Sequence, residues 1–116
     1  MRVNHYTDTP AESAGVPGVT VRWVIRESDG APHFAMRVFE VEPGKASPFH
    51  THWWEHEVFV LSGRGHVKSA DGTHPIRESS VVLVSPNEEH QFVNEGDDVL
   101  RFLCLIPHPS LEGWAQ

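Results

Sequence analysis

The chain has 116 residues, room for one small domain with a single core, and its 9 Lys and Arg against 16 Asp and Glu give a formal net charge of −7. That balance excludes non-specific nucleic-acid binding and attachment to an anionic membrane surface, since both draw their affinity from clustered Lys and Arg. The longest wholly apolar run, Phe102 to Ile106, falls far short of the roughly 18 to 20 residues that cross a bilayer, and a single cysteine excludes an internal disulfide.

Met1 to Asp8 lacks the apolar stretch of a secretory signal, so the expected location is the cytoplasm. Residues 1–18 contain Thr9-Pro10, Gly15, Pro17 and Gly18, which predict an irregular N-terminal arm, mobile unless tied to the body or to a partner subunit. Residues 19–116 form the expected domain. Val19, Val21, Trp23 and Ile25 alternate on one face of its first strand, with Thr20 and Arg22 on the other. The turn signal Ser28-Asp29-Gly30 leads to an antiparallel neighbour, Phe34 to Val41, closed by Pro43-Gly44. Further strands are expected at His56 to Leu61, at His66 to Ser69 after a turn at Ser62 to Gly65, and beyond the hairpin signal Asp71-Gly72. Val81 to Val84, His90 to Asn94 and Val99 to Ile106 complete the series. No long stretch has helical periodicity, and many short strands between regular turn signals predict an all-β sandwich or barrel.

Nine histidines, as many as all Lys and Arg together, are what the composition leaves unexplained. His50 and His52 are separated by one residue, so an extended strand projects both imidazoles to one face. His56 follows after Trp53-Trp54-Glu55, where a bend could bring a third ring to the same point, and His90 opens a later strand. Neutral imidazole is the commonest metal ligand, and such a cluster suits Zn, Cu, Fe, Ni or Mn better than Ca or Mg. His5, His33, His66, His74 and His108 sit in polar or turn contexts that predict solvated side chains, His33 being the exception nearest the Arg37 strand.

Gly44, His50-Thr51-His52, His56 and Gly63 resemble the first motif of the cupin family, a glycine, His-x-His, a glutamate and a second glycine at fixed spacing. Ser80 to Asn94 resembles the second motif: His90 and Asn94 match, while Ser80, Ser85 and Asn87 replace its Gly, Pro and Gly. Asn87 is a mild departure, because Asn tolerates the left-handed conformation. Counted from His52, the spacing admits His56 or Glu57 as third ligand; counted back from Gly63, it selects His56, where most cupins carry glutamate. His52 to Leu61 also resembles small single-domain cupins whose metal has four histidine ligands, often manganese.

The resemblance implies an all-β double-stranded β-helix, the cupin jelly-roll barrel, as a single domain. It implies one divalent transition metal held by His50, His52, His56 and His90; manganese follows from the resemblance, while an all-imidazole set also takes Fe, Zn, Ni or Cu. Four neutral imidazoles leave such an ion at +2, where a glutamate ligand would leave +1, which favours Lewis-acid or peroxide chemistry. The strand carrying Arg37 and the last strand line the barrel in small cupins. Arg37 is therefore expected to face a substrate carboxylate or to support a ligand, and Phe102 and Cys104, sharing a face with Ile106, to form the pocket wall. Asn94 is expected to brace a loop, and Trp53 and Trp54 to form either a lid or a dimer contact.

The expected function is a small metal-dependent oxidoreductase, of dioxygenase or peroxide-dependent oxygenase type, acting on a small organic molecule. The alternatives are a Lewis-acid isomerase or decarboxylase of a keto acid, and a non-catalytic small-ligand sensor. A small cupin with exposed sheet edges and an extended arm predicts a homodimer.

Overall fold

Period-2 alternation of apolar and polar side chains becomes nine strands in a computed structural model, which describes residues 1–108. The expected domain's remainder, 109–116, lies outside the described residues. β1 (Glu12–Ser13), β2 (Val19–Ile25), β3 (Phe34–Val41), β9 (Leu100–Pro107), β4 (His56–Ser62) and β7 (Val81–Val84) form one sheet in that order. β6 (Gly72–Arg77), β5 (Arg64–Ser69) and β8 (His90–Asn94) form the other. Bridges from Ala46 to Val93 and from His50 to His90 extend the smaller sheet past β8 with the segment that precedes β4. The two sheets close into the jelly-roll double-stranded β-helix. Among the described residues, no helix is long and apolar enough to cross a membrane.

The core lies between the sheets. Ala35, Val41, Val58, Val60, Leu100 and Phe102 are each 2% exposed or less, and all come from the inward positions of β3, β4 and β9. Each large side chain so buried contributes about 1.5–3 kcal/mol. β3 and β9 pair in unbroken register from Phe34↔Pro107 to Val41↔Leu100, which sets Arg37 opposite Cys104 and Phe39 opposite Phe102. The expected β2–β3 hairpin is present, with Trp23 opposite Arg37.

Three expectations need correction. Ile25 does not share the inward face of Val19 and Val21: the register shifts between Trp23 and Ile25, and a bulge of this kind reverses parity, leaving Ile25 40% exposed. The expected turn at Ser62 to Gly65 does not form: β4 runs to Ser62, β5 starts at Arg64, and the two belong to different sheets. Gly63 has φ +89, and a Cβ there would lie 2.6 Å from the Val99 carbonyl, so the chain changes sheets where only glycine fits. His108 is not solvated: it is 2% exposed, with Nε2 at 2.7 Å from the Ala31 carbonyl, while His33 is exposed. The arm folds onto its own chain, through pairing of β1 with β2 and a 2.6 Å bond from Arg22 Nη1 to the Thr9 carbonyl.

Candidate metal centre

The segment that carries His50 and His52 is a loop pinned to β8 rather than a strand of its own. Ser47 donates its N–H to the Phe92 carbonyl at 2.9 Å and accepts the Phe92 N–H on its hydroxyl at 2.8 Å. His50 and His90 then exchange backbone bonds, from His50 N at 3.3 Å and from His90 N at 3.2 Å. The expected pair on one face therefore arises from a single bridge residue, with the two rings tilted 60° to each other. His52 is fixed by Asn87, whose N–H donates to its carbonyl at 2.6 Å from a left-handed turn with φ 65, the conformation the Asn-for-Gly departure allows.

Ligand atoms of His50, His52 and His90 all lie within 4.8 Å of one another. The Nε2 atoms of His50 and His52 approach to 3.1 Å, and His52 stacks on Trp54 with centroids 4.3 Å apart and planes 7° from parallel. Trp54 thus braces His52 from the core and does not itself line the cavity. His90 Nδ1 lies 2.9 Å from the Glu88 carbonyl, an acceptor that keeps the ring proton on Nδ1 and leaves Nε2 as a lone-pair donor.

His56 stands behind this trio. It is 5% exposed at the inward start of β4, with ring centroids 4.7 Å from His90 and 5.3 Å from His52. Its Nδ1 lies 3.3 Å from Cys104 Sγ and 3.3 Å from Arg37 Nη2, while its Nε2 is buried without a hydrogen-bond partner. Glu57, the neighbour that spacing from His52 also admitted, is exposed on the outer face opposite Leu83.

Burial, reinforced by neighbouring positive charge, holds His50, His52 and His56 in the neutral form that ligates metal. His50 is lowered below the usual histidine range, His52 falls to about 4, and His56 is lowered further, with burial the first cause in each. Burial also raises the Cys104 thiol, against the pull of Arg37, so the sulfur is protonated at neutral pH. Converging neutral nitrogens and an orphaned buried Nε2 fit a transition-metal ion.

The histidines sit in a cavity of about 270 Å³. Sequence reasoning placed Arg37, Phe102 and Cys104 in its wall, and all three line it. Ile106 does not line it, though it is buried on the same face. Trp23, Phe39 and Phe92 also line the cavity, as do Glu12 to Ala14 from the arm. Trp23 was legible as an inward position of β2; nothing local marks β1 as part of the wall. Asn94, 2% exposed, braces loops as expected, donating to the Val41 and Asp98 carbonyls at 2.8 Å each and accepting the Gly96 N–H at 2.8 Å.

A family model for the cupin domain matches residues 37–106. The solved polyketide cyclase RemF from Streptomyces resistomycificus is 34% identical, with a TM-score of 0.84, over 92% of this chain and 79% of that one. Protein SchB of Streptomyces halstedii is 33% identical over 87 residues, 71% of this chain and 63% of that protein. The 1-methylthio-D-xylulose 5-phosphate methylsulfurylase of Rhodospirillum rubrum is 34% identical over 71 residues, 61% of this chain and 46% of that protein. The chain therefore aligns with about half to two thirds of the length of these two curated relatives.

Proposed function

The chain belongs to the cupin family, and from that premise we propose that it is a metal-dependent ring-closing enzyme, acting on a small, planar substrate with enolisable carbonyl groups. The observation that carries this reading is the donor set: converging imidazoles with no carboxylate among them, facing an aromatic-walled cavity. The similarity to a polyketide cyclase over nearly the whole chain supports it.

His50, His52 and His90 would hold the ion, with His56 as fourth ligand through its unpartnered Nε2. The bound ion would supply Lewis acidity to a carbonyl oxygen, undiluted by an anionic ligand. The protein's own residues do the rest. Phe39, Phe102 and Phe92 stack in series, at 5.2 Å and 4.5 Å between centroids, and give the cavity an aromatic side that holds an unsaturated chain and excludes water. Cys104 accepts from Arg37 Nη2 at 3.2 Å and faces His56 Nδ1, where a ring proton donated to sulfur leaves Nε2 free to ligate.

A dioxygenase or peroxide-dependent oxygenase in the same pocket is the second reading, favoured by a donor set that suits iron or manganese as well as zinc. One experiment separates the two. Metal-loaded and metal-stripped protein is incubated with aryl poly-β-keto acids, and products are followed by mass spectrometry beside an oxygen electrode. Ring closure predicts a metal-dependent product one water lighter than its substrate and no oxygen uptake. Oxygen consumption with oxygenated product would overturn it in favour of the second reading.

A further inference from the structure

We propose that Arg37 is the receptor for a carboxylate on the substrate, and that the substrate class is a planar, unsaturated acid bearing a keto or hydroxyl oxygen in 1,3 relation to that carboxylate. The inference rests on the reading of the cavity as a Lewis-acid site and names what that site takes.

Arg37 differs from the other partly buried arginines in lacking an anion. Arg2 pairs with Asp29 at 2.6 Å, Arg22 and Arg101 with Glu40 at 3.9 and 2.7 Å, and Arg26 with Glu12 at 3.9 Å. Arg64 and Arg77 have no such partner, but both are exposed. Among the described residues, Arg37 is the one cation withdrawn from the surface with no carboxylate within ion-pair distance. What it touches is neutral: Cys104 Sγ at 3.2 Å and His56 Nδ1 at 3.3 Å, while its Nε is buried with no hydrogen-bond partner. Ring faces of Trp23 and Phe39, 5.1 and 4.8 Å from the guanidinium carbon, offset part of the cost of withdrawing the charge from water. They do not supply a counter-charge, so a partly buried cation lines the cavity with its charge open to an incoming anion. A guanidinium fork held between aromatic faces has the geometry for a carboxylate.

The same contacts fix where the second oxygen lies. Arg37 meets one nitrogen of His56, and the ring's other side faces His52 and His90, so one imidazole separates the anion receptor from the ligand cluster. A substrate reaching both carries its two oxygen functions close together. The aromatic lining of Trp23, Phe39, Phe92 and Phe102 favours an unsaturated skeleton. A cavity of about 270 Å³ holds a one- or two-ring acid, at roughly 30 Å³ for each water it replaces.

The test uses metal-free protein, so that its outcome is separate from ring closure. Calorimetric titration compares 2-hydroxybenzoate with 2-hydroxybenzamide, a probe of nearly the same shape without the charge. The wild-type protein is expected to bind the acid at least tenfold more tightly. Arg37→Gln brings the two within about twofold, and Arg37→Lys retains an intermediate preference, with melting temperatures checking that both variants fold. Equal affinity of the wild type for acid and amide overturns the proposal without any variant; so does a preference that survives in Arg37→Gln. If the acid preference holds but the loaded protein closes no ring, the receptor stands and the proposed activity fails.

Discussion

Cys104 is the residue whose role is least visible in its type, because a buried free cysteine is usually a small hydrophobe. Here its sulfur meets two donors, the Arg37 guanidinium and, in the ligating tautomer, His56 Nδ1–H. An acceptor behind a ligating histidine typically changes metal affinity 10- to 100-fold. Cys104→Ala is therefore expected to weaken zinc binding about tenfold in competition with a chromophoric chelator, and Cys104→Ser, which restores an acceptor, to recover most of it. Equal affinity in wild type and Cys104→Ala would show that the sulfur does not position His56. The motif spacing made the histidines legible, since a backbone bridge from His50 to His90 follows once both motifs fold. The partner of His56 was legible only as a shared face on the last strand. Which atom meets which depends on the β3–β9 and β4–β9 registers, and alternation within one strand does not carry register between strands.

At the scale of elements, the smaller sheet depends on how closely β5 and β8 approach. Gly65 pairs with Asn94, and a Cβ on Gly65 would overlap the Val93 carbonyl, a backbone atom that cannot swing aside. Gly65→Ala is expected to destabilise the fold by about 3 kcal/mol, the upper range of overpacking, read as a lowered urea midpoint with little change in slope. A stability within about 0.5 kcal/mol of wild type would mean that the ladder relaxes freely. The strands themselves were legible because alternation and Gly or Pro punctuation are local: β8 and β7 match the expected His90 to Asn94 and Val81 to Val84. What escaped depends on contacts distant in sequence. The bulge in β2 turns Ile25 outward, Gly63 moves the chain from one sheet to the other, and β1 becomes a strand only because β2 offers it an edge. His108, between two prolines, was expected at the surface; its burial comes from the Ala31 carbonyl, 77 positions earlier.

At the scale of the whole molecule, half of the larger sheet's outer face is uncovered among the described residues. On the β2, β3 and β9 side the arm lies over it, with Tyr6 5.6 Å from the guanidinium carbons of both Arg22 and Arg101. On the β4 and β7 side nothing among the described residues covers Phe59, Val81 and Leu83, which are 42%, 78% and 63% exposed. These side chains adjoin, Phe59 opposite Val81, and Leu103 continues the row on β9. Together they expose on the order of 300 Å² of apolar surface, the size of the largest patch on a typical monomer and often a functional one. A stable pair needs about 800 Å² from each partner with an apolar centre and a polar rim, so this patch has the size of the centre rather than the whole. A second copy meeting it across a two-fold axis sets the patch against itself, the self-complementary arrangement of most small homodimers. Each copy carries a charge of −7, which opposes association and is screened by salt. The expected result is a dimeric mass in solution scattering at micromolar concentration, firmer at higher salt, and a folded monomer for Leu83→Glu. A monomeric wild type, or a Leu83→Glu protein that remains dimeric, would place the association elsewhere or remove it, because a carboxylate at the centre of an apolar two-fold contact is repeated on both sides and has no partner on either.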